Sequence, residues 1–281
     1  MSSVVPTLTL NNGVEIPQVG LGVFQTQEGA EVERAVSAAL EAGYRLIDTA
    51  AIYGNEAGVG KAMKASGLPR EEIFLTTKLW NAHHAYEDAL RAFDESLARL
   101  DCGGYVDLYL IHWPLPMEGK YTEAWKALEH LYAQKRVRAI GVSNFKPAHL
   151  ETLLRQAQVV PAVNQIELHP LLQQKETRDV CRQQGIVVES YSPLMQAGGE
   201  AMTHPIITEL AQKYGKTPAQ VILRWHVQSG FIVIPKSARP ERIRENIALF
   251  DFALSADDMH RIEGMDQGKR IGADPDTAAF K

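Results

Sequence analysis

Eight short apolar runs alternate with amphipathic stretches along this chain, and that alternation constrains its fold more than any other feature. The runs are Val19–Phe24, Arg45–Asp48, Ile73–Lys78, Val106–His112, Val137–Ser143, Ala162–Glu167, Val187–Tyr191 and Phe231–Pro235. Helical spacing fills Ala30–Ala42, Tyr86–Leu100, Tyr121–Gln134, Pro147–Ala157, Lys175–Gln184, Pro205–Tyr214 and Pro218–Gln228. Val106-Asp107-Leu108-Tyr109-Leu110-Ile111 is almost continuously apolar, which predicts a sheet covered on both faces. Eight strand–helix units in 281 residues predict an α/β fold, a (β/α)8 barrel. An open doubly wound sheet is the alternative. No Pro-rich, Gly-rich or charged linker divides the units, so residues 1–281 read as one domain.

Thr7–Leu10, the turn Asn11-Asn12-Gly13 and Val14–Ile16 precede the repeat and read as a β-hairpin. Thr217-Pro218-Ala219-Gln220 carries a helix start: a Thr cap, Pro at the first position and Gln at the third. Extra helical stretches, Pro240–Leu249 and Ala256–Gly264, lie near the C-terminus, and the tail from Gln267 is polar and irregular.

Composition excludes several classes. With 45% apolar and 22% charged residues the chain can bury a core without disulfides or metals. A net charge of −5 gives no case for nucleic-acid binding. No apolar run reaches the length of a membrane span, and the N-terminus lacks a signal-peptide pattern. Cys102 and Cys181 fit reduced thiols in a cytoplasm. The expectation is a cytoplasmic protein without membrane or nucleic-acid partners.

In such a barrel the site gathers where the strands end. Those ends carry Asp48 with Tyr53 just beyond, Lys78, His112, Ser143-Asn144, Gln165 and Glu167, Glu189 to Ser192, and Lys236-Ser237. A carboxylate, a phenol, a lysine and a histidine suit proton transfer to a carbonyl oxygen. A neighbouring ammonium lowers the phenol pKa from near 10. Singly, each residue reads as a cap, a surface charge or core packing; together at strand ends they read as a site. Composition and spacing leave the reaction open.

Other motifs fail. Gly20-Leu21-Gly22 lacks a glycine at Gln25, so it is not the dinucleotide fingerprint. Gly58-Val59-Gly60-Lys61-Ala62 imitates the end of a phosphate loop, but Asn55 replaces its first glycine and Ala62 its hydroxyl. His83-His84 has no further ligands at metal spacing and reads as exposed. No metal site is expected.

Over essentially the whole chain the residues resemble the aldo-keto reductases. The likeness rests on Gly43-Tyr44-Arg45-Leu46-Ile47-Asp48-Thr49-Ala50, Tyr53-Gly54-Asn55-Glu56 and Thr76-Thr77-Lys78-Leu79-Trp80. It continues through Asp107–Pro114, Gly141-Val142-Ser143-Asn144-Phe145, Asn164–Pro170 and Ile234-Pro235-Lys236-Ser237. Within the family the chain looks most like bacterial 2,5-diketo-D-gluconate reductases. Its tail, Asp266–Gly272 with Asp274-Pro275-Asp276, is similar to members that also reduce methylglyoxal.

The resemblance implies NADPH bound across the strand ends and a catalytic tetrad. Tyr53 is then the general acid, Lys78 lowers its pKa, Asp48 pairs with Lys78, and His112 orients the carbonyl. Ser143, Asn144 and Gln165 match the carboxamide site, and Tyr191 matches the aromatic that stacks on the nicotinamide. Ser192, Pro193 and Leu194 match the pyrophosphate loop. Lys236, Ser237 and Arg242 match the 2′-phosphate and adenine pocket, with Glu245 and Asn246 on adenine. Phe24, Trp80 and Trp113 would join His112 in walling the substrate pocket. The family likeness also implies a monomer. The expected function is NADPH-dependent reduction of aldehydes or ketones, with 2,5-diketo-D-gluconate, methylglyoxal or simple aldehydes as substrates. The alternatives are a cofactor-binding regulatory protein with little turnover, and an unrelated barrel lyase or isomerase of a phosphorylated metabolite.

Overall fold

The computed structural model describes residues 5–195 and 199–281. The start of the N-terminal stretch read above, residues 1–4, lies outside them. Strands β1 (Thr7–Thr9) and β2 (Glu15–Pro17) form an antiparallel hairpin. Eight parallel strands follow in sequence order: β3 (Leu21–Gly22), β4 (Leu46–Asp48), β5 (Phe74–Leu79), β6 (Val106–Ile111), β7 (Val137–Ser143), β8 (Val163–Glu167), β9 (Val187–Tyr191) and β10 (Ile232–Val233).

The sheet closes between its first and last strands. Gly20 N–H donates to the Val233 carbonyl at 2.9 Å, and Val233 N–H to the Gln18 carbonyl at 3.0 Å. Parallel bridges join Val19 to Val233 and Gly22 to Lys236. Glycine is required at this seam, because a Cβ on Gly22 would lie 2.9 Å from the Ile234 carbonyl oxygen. The Gly20-Leu21-Gly22 triplet is therefore barrel closure, not a nucleotide fingerprint.

The connecting helices are α1 (Ala30–Glu41), α2 (Glu56–Ala65), α3 (Tyr86–Leu100), α4 (Tyr121–Ala133), α5 (Pro147–Leu154), α6 (Lys175–Gln183), α7 (Glu200–Thr203), α8 (Pro205–Tyr214), α9 (Pro218–Gln228), α10 (Pro240–Ile247) and α11 (Ala256–Glu263). Helix α9 starts on the expected box: Gln220 N–H donates to Thr217 Oγ1, and Thr217 N–H to Gln220 Oε1. Two helices escape the sequence pattern. In α2, Gly58 and Gly60 disfavour helix, yet a Cβ on Gly60 would sit 1.8 Å from the Leu100 carbonyl oxygen of α3. The glycines let α2 lie close to its neighbours. Helix α7 is a single turn.

Apolar side chains divide into two layers. Outward-facing strand residues pack under the helices, around Ile47, Leu75, Tyr109, Ile140, Ile166 and Val188. Inward-facing Leu46, Phe74, Leu108, Ala139, Val163 and Ile232 fill the lower barrel, and the hairpin plugs that end with Leu10 and Ile16. Asn12 Nδ2 ties the hairpin turn to the Arg138 carbonyl at 2.9 Å. Both cysteines are buried free thiols. His83 is exposed, but His84 is buried, contrary to expectation. Burial takes its imidazole down to about 4, so it is neutral at neutral pH. No helix among the described residues is long and apolar enough to cross a membrane.

Candidate active site

Strand side chains alternate faces with period two, so every second residue points into the barrel. Following Leu46, Phe74, Val163 and Val187 upward, the next inward positions are Asp48, Thr76, Gln165 and Glu189. The barrel interior thus changes from apolar to polar along each strand. Lys78, Glu167 and Tyr191 come one step higher. Tyr53 arrives from a single 3-10 turn, Ala51–Tyr53, immediately after β4.

The side chains converge on Lys78. Its ammonium donates to Asp48 Oδ1 at 2.6 Å, the Thr49 carbonyl at 2.8 Å and Tyr53 Oη at 3.4 Å. Those contacts use all three of its N–H groups. Lys78 is fully buried; burial works against its charge, but Asp48 and Tyr53 hold its pKa above the ordinary lysine value. The phenol of Tyr53 also sits above its ordinary value of 10.0: burial outweighs the downward pull of Lys78, and Asp48 adds to the rise. Lys78 lowers the phenol pKa as the sequence implies, but burial outweighs that pull. A raised pKa keeps Tyr53 protonated at neutral pH, as an acid must be. His112 is held well below 6.5 by burial and by Lys78, so its imidazole is neutral. Its ring lies edge-on to Tyr53, with centroids 5.8 Å apart.

A cavity of about 1110 Å³ opens above this cluster. Asp48, Tyr53 and His112 line it, whereas Lys78 stands behind them. Phe24, Trp80 and Trp113 form the aromatic wall near Tyr53 and His112. Ser143, Asn144, Gln165, Tyr191, Ser192 and Leu194 continue the lining, and Lys236, Ser237, Arg242, Glu245 and Asn246 complete it. Pro193 is buried beside this lining rather than in it. Exposed Lys236 and Arg242 have no carboxylate in ion-pairing distance among the described residues, and Arg242 occupies the first turn of α10. That end of the cavity suits an anion.

Asn144 is more committed than its sequence suggested. It adopts a left-handed backbone with φ 64°. Its Nδ2 donates to the His112 carbonyl at 3.0 Å and to Ser143 Oγ at 3.1 Å, and its Oδ1 accepts from the Tyr191 hydroxyl at 2.8 Å. Asn144 therefore links the His112 backbone to the Tyr191 ring.

The tail supplies groups that sequence reading missed. Ile271 N–H and Gly272 N–H donate to the buried Glu167 carboxylate at 2.7 and 2.9 Å. Lys146 then pairs with Asp274 and Asp276 at 2.5 and 2.6 Å. Asn81 Nδ2 donates to the Phe280 carbonyl at 2.9 Å. These ties carry Phe280 against the site, stacked on Trp80 and edge-on to Trp113. A terminal aromatic after a polar stretch was the available signal. Among the described residues no His, Cys, Asp and Glu cluster could hold a metal.

A profile of the Aldo/keto reductase family matches residues 18–267. The chain is 51% identical to the glyoxal reductase of Bacillus subtilis over 279 residues, covering 99% of both. It is 51% identical to the methylglyoxal reductase DkgA of Yersinia pestis over 272 residues, 97% of each. The solved structure of a Gox0644 mutant in complex with NADPH superposes with a TM-score of 0.94 at 46% identity, covering 99% of this chain and 100% of that one.

Proposed function

The chain belongs to the aldo/keto reductase family, and from that premise we propose that it reduces aldehydes and ketones to alcohols with NADPH, Tyr53 giving the proton. One observation carries the reading: Lys78 holds Asp48 and Tyr53 together beneath an aromatic-walled cavity that His112 also faces. A carbonyl oxygen near Tyr53 and His112 meets one acidic O–H and one neutral imidazole. The imidazole orients the carbonyl and polarises it. Tyr53 transfers its proton to the oxygen, and the adjacent ammonium stabilises the phenolate left behind. Asp48 keeps Lys78 charged and in place.

The remaining cavity fits an extended dinucleotide phosphate. Lys236 and Arg242 would hold a 2′-phosphate, with Ser237, Glu245 and Asn246 around the adenine. Tyr191 would lie under the nicotinamide, and Gln165 would meet its carboxamide beside Ser143 and Asn144. Ser192 and Leu194 would flank the pyrophosphate. When bound, the nicotinamide supplies the hydride.

The carbonyl end also bears on substrate. Phe24, Trp80, Trp113 and Phe280 are aromatic, and no Lys or Arg joins them in the cavity lining there among the described residues. Methylglyoxal and uncharged aldehydes suit such a wall better than the carboxylate of 2,5-diketo-D-gluconate. NADPH oxidation at 340 nm against these three substrates, repeated with NADH, tests the reading. Turnover with NADPH, fastest on the uncharged carbonyls, is expected. Binding of NADPH without turnover on any of them would instead favour a regulatory protein.

A further inference from the structure

One buried acid remains outside this scheme. Glu189 is fully buried at the centre of β9, facing into the barrel. Its Oε2 accepts from Gln165 Nε2 at 2.9 Å, while its Oε1 has no hydrogen-bond partner among the described residues. The same Gln165 nitrogen donates to Asp48 Oδ2 at 2.8 Å. A carboxyl so enclosed and half-satisfied opposes stability. Rules broken locally in this way mark functional positions.

The geometry has a consequence for Gln165. A side-chain amide has two N–H donors on its nitrogen and acceptors only on its oxygen. Two carboxyl groups flank the Gln165 nitrogen and take both N–H groups. The amide oxygen is left for the cavity that Gln165 lines. We propose that Glu189 is a positioning residue: with Asp48 it fixes the Gln165 amide so that its oxygen faces the cofactor site and joins that site to the proton-donating cluster. The inference rests on reading the cavity as a nicotinamide site.

Charge supports the assignment. Asp48 comes at Glu189 from β4, Lys78 from β5 and Tyr53 from the turn after β4, while β10 opposes it with the apolar Ile232. Burial raises both carboxyls. The Lys78 ammonium against Asp48 pulls that carboxyl back down; Glu189 is pushed up to about 8 and holds the proton at neutral pH. Above that pH its charge raises the Tyr53 pKa further.

The test is the NADPH dissociation constant, read by fluorescence, for the parent protein, Glu189→Ala and Glu189→Gln. Loss of one acceptor should weaken NADPH about fivefold in Glu189→Ala. Glu189→Gln keeps a carbonyl acceptor and should bind within about twofold of the parent. Equal constants in all three overturn the proposal, as does an equal loss in both variants. Failure of the parent to bind NADPH overturns the cofactor reading itself, and the inference with it. If Glu189→Ala does not fold, the kcat/KM pH profile of Glu189→Gln decides. Without the alkaline charge Tyr53 deprotonates earlier, so the high-pH fall in reduction moves down by roughly half a pH unit. An unmoved profile overturns the proposal.

Discussion

Two buried carboxylate clusters sit at opposite ends of this barrel and are built differently. Near the N-terminal ends of β5 to β7, Asp107 accepts from Arg70 at 2.8 Å, from Arg138 at 2.7 Å and from the Leu75 N–H at 2.9 Å. Two cations serve one carboxylate, and both guanidiniums reach solvent, with side chains 17% and 43% exposed. At the C-terminal ends the ratio reverses. Lys78 is the cation for both Asp48 and Glu189, and Lys78 and Glu189 are fully buried. The lower cluster is satisfied and fastens strands. The upper one contains a protonated acid, a protonated phenol and an acceptor without a partner among the described residues, which leaves it able to move a proton.

Breaking each cluster should separate these roles. Tyr53→Phe removes the proposed proton donor and should cut kcat about 10³-fold, with NADPH affinity and unfolding midpoint unchanged; steady-state kinetics beside urea titration reads this. Asp107→Asn should leave kcat per folded molecule intact and lower stability by about 2 kcal/mol. The exposure of its two arginines keeps that loss below the value for a sealed pair. Lys236→Ala should raise the NADPH dissociation constant about tenfold and leave NADH alone. Phe280→Ala, which strips one ring from the carbonyl end, should raise KM for an aromatic aldehyde about threefold with little change in kcat.

The upper cluster should also show itself in stability against pH. Glu189 titrates at about 8 in the folded chain but near 4.5 when exposed. Between those values the folded state holds a proton that the unfolded state has lost, so parent stability falls as pH rises. Glu189→Gln lacks this dependence. Its Tm advantage over the parent should widen from pH 5 to pH 8 and then level off. A constant gap would mean that Glu189 is ionised throughout.

The strands were legible because inward and outward faces both carry β-branched and large apolar residues for most of their length. Their ends were less so. Strands β3 and β10 are shorter than the runs Val19–Phe24 and Phe231–Pro235 because the barrel seam there is held by single bridges. Helix α2 was hidden by glycines whose purpose lies in α1 and α3, not in local propensity. In the site, strand-end chemistry and family likeness named Asp48, Tyr53, Lys78 and His112, and the fold brings them together. The partners of Asn144 and the placement of Phe280 depend on contacts across 47 and up to 199 residues, which no local pattern carries. Glu189 read as one more polar strand residue, because only the register beside Gln165 reveals what it touches.

The most direct test sets Tyr53→Phe and Asp107→Asn side by side, with kcat on methylglyoxal at saturating NADPH and the urea midpoint measured for each. A crossed result is expected: Tyr53→Phe keeps its midpoint and loses turnover, and Asp107→Asn loses midpoint and keeps turnover. Turnover by Tyr53→Phe within about tenfold of the parent would contradict it, because the proton would then come from another group.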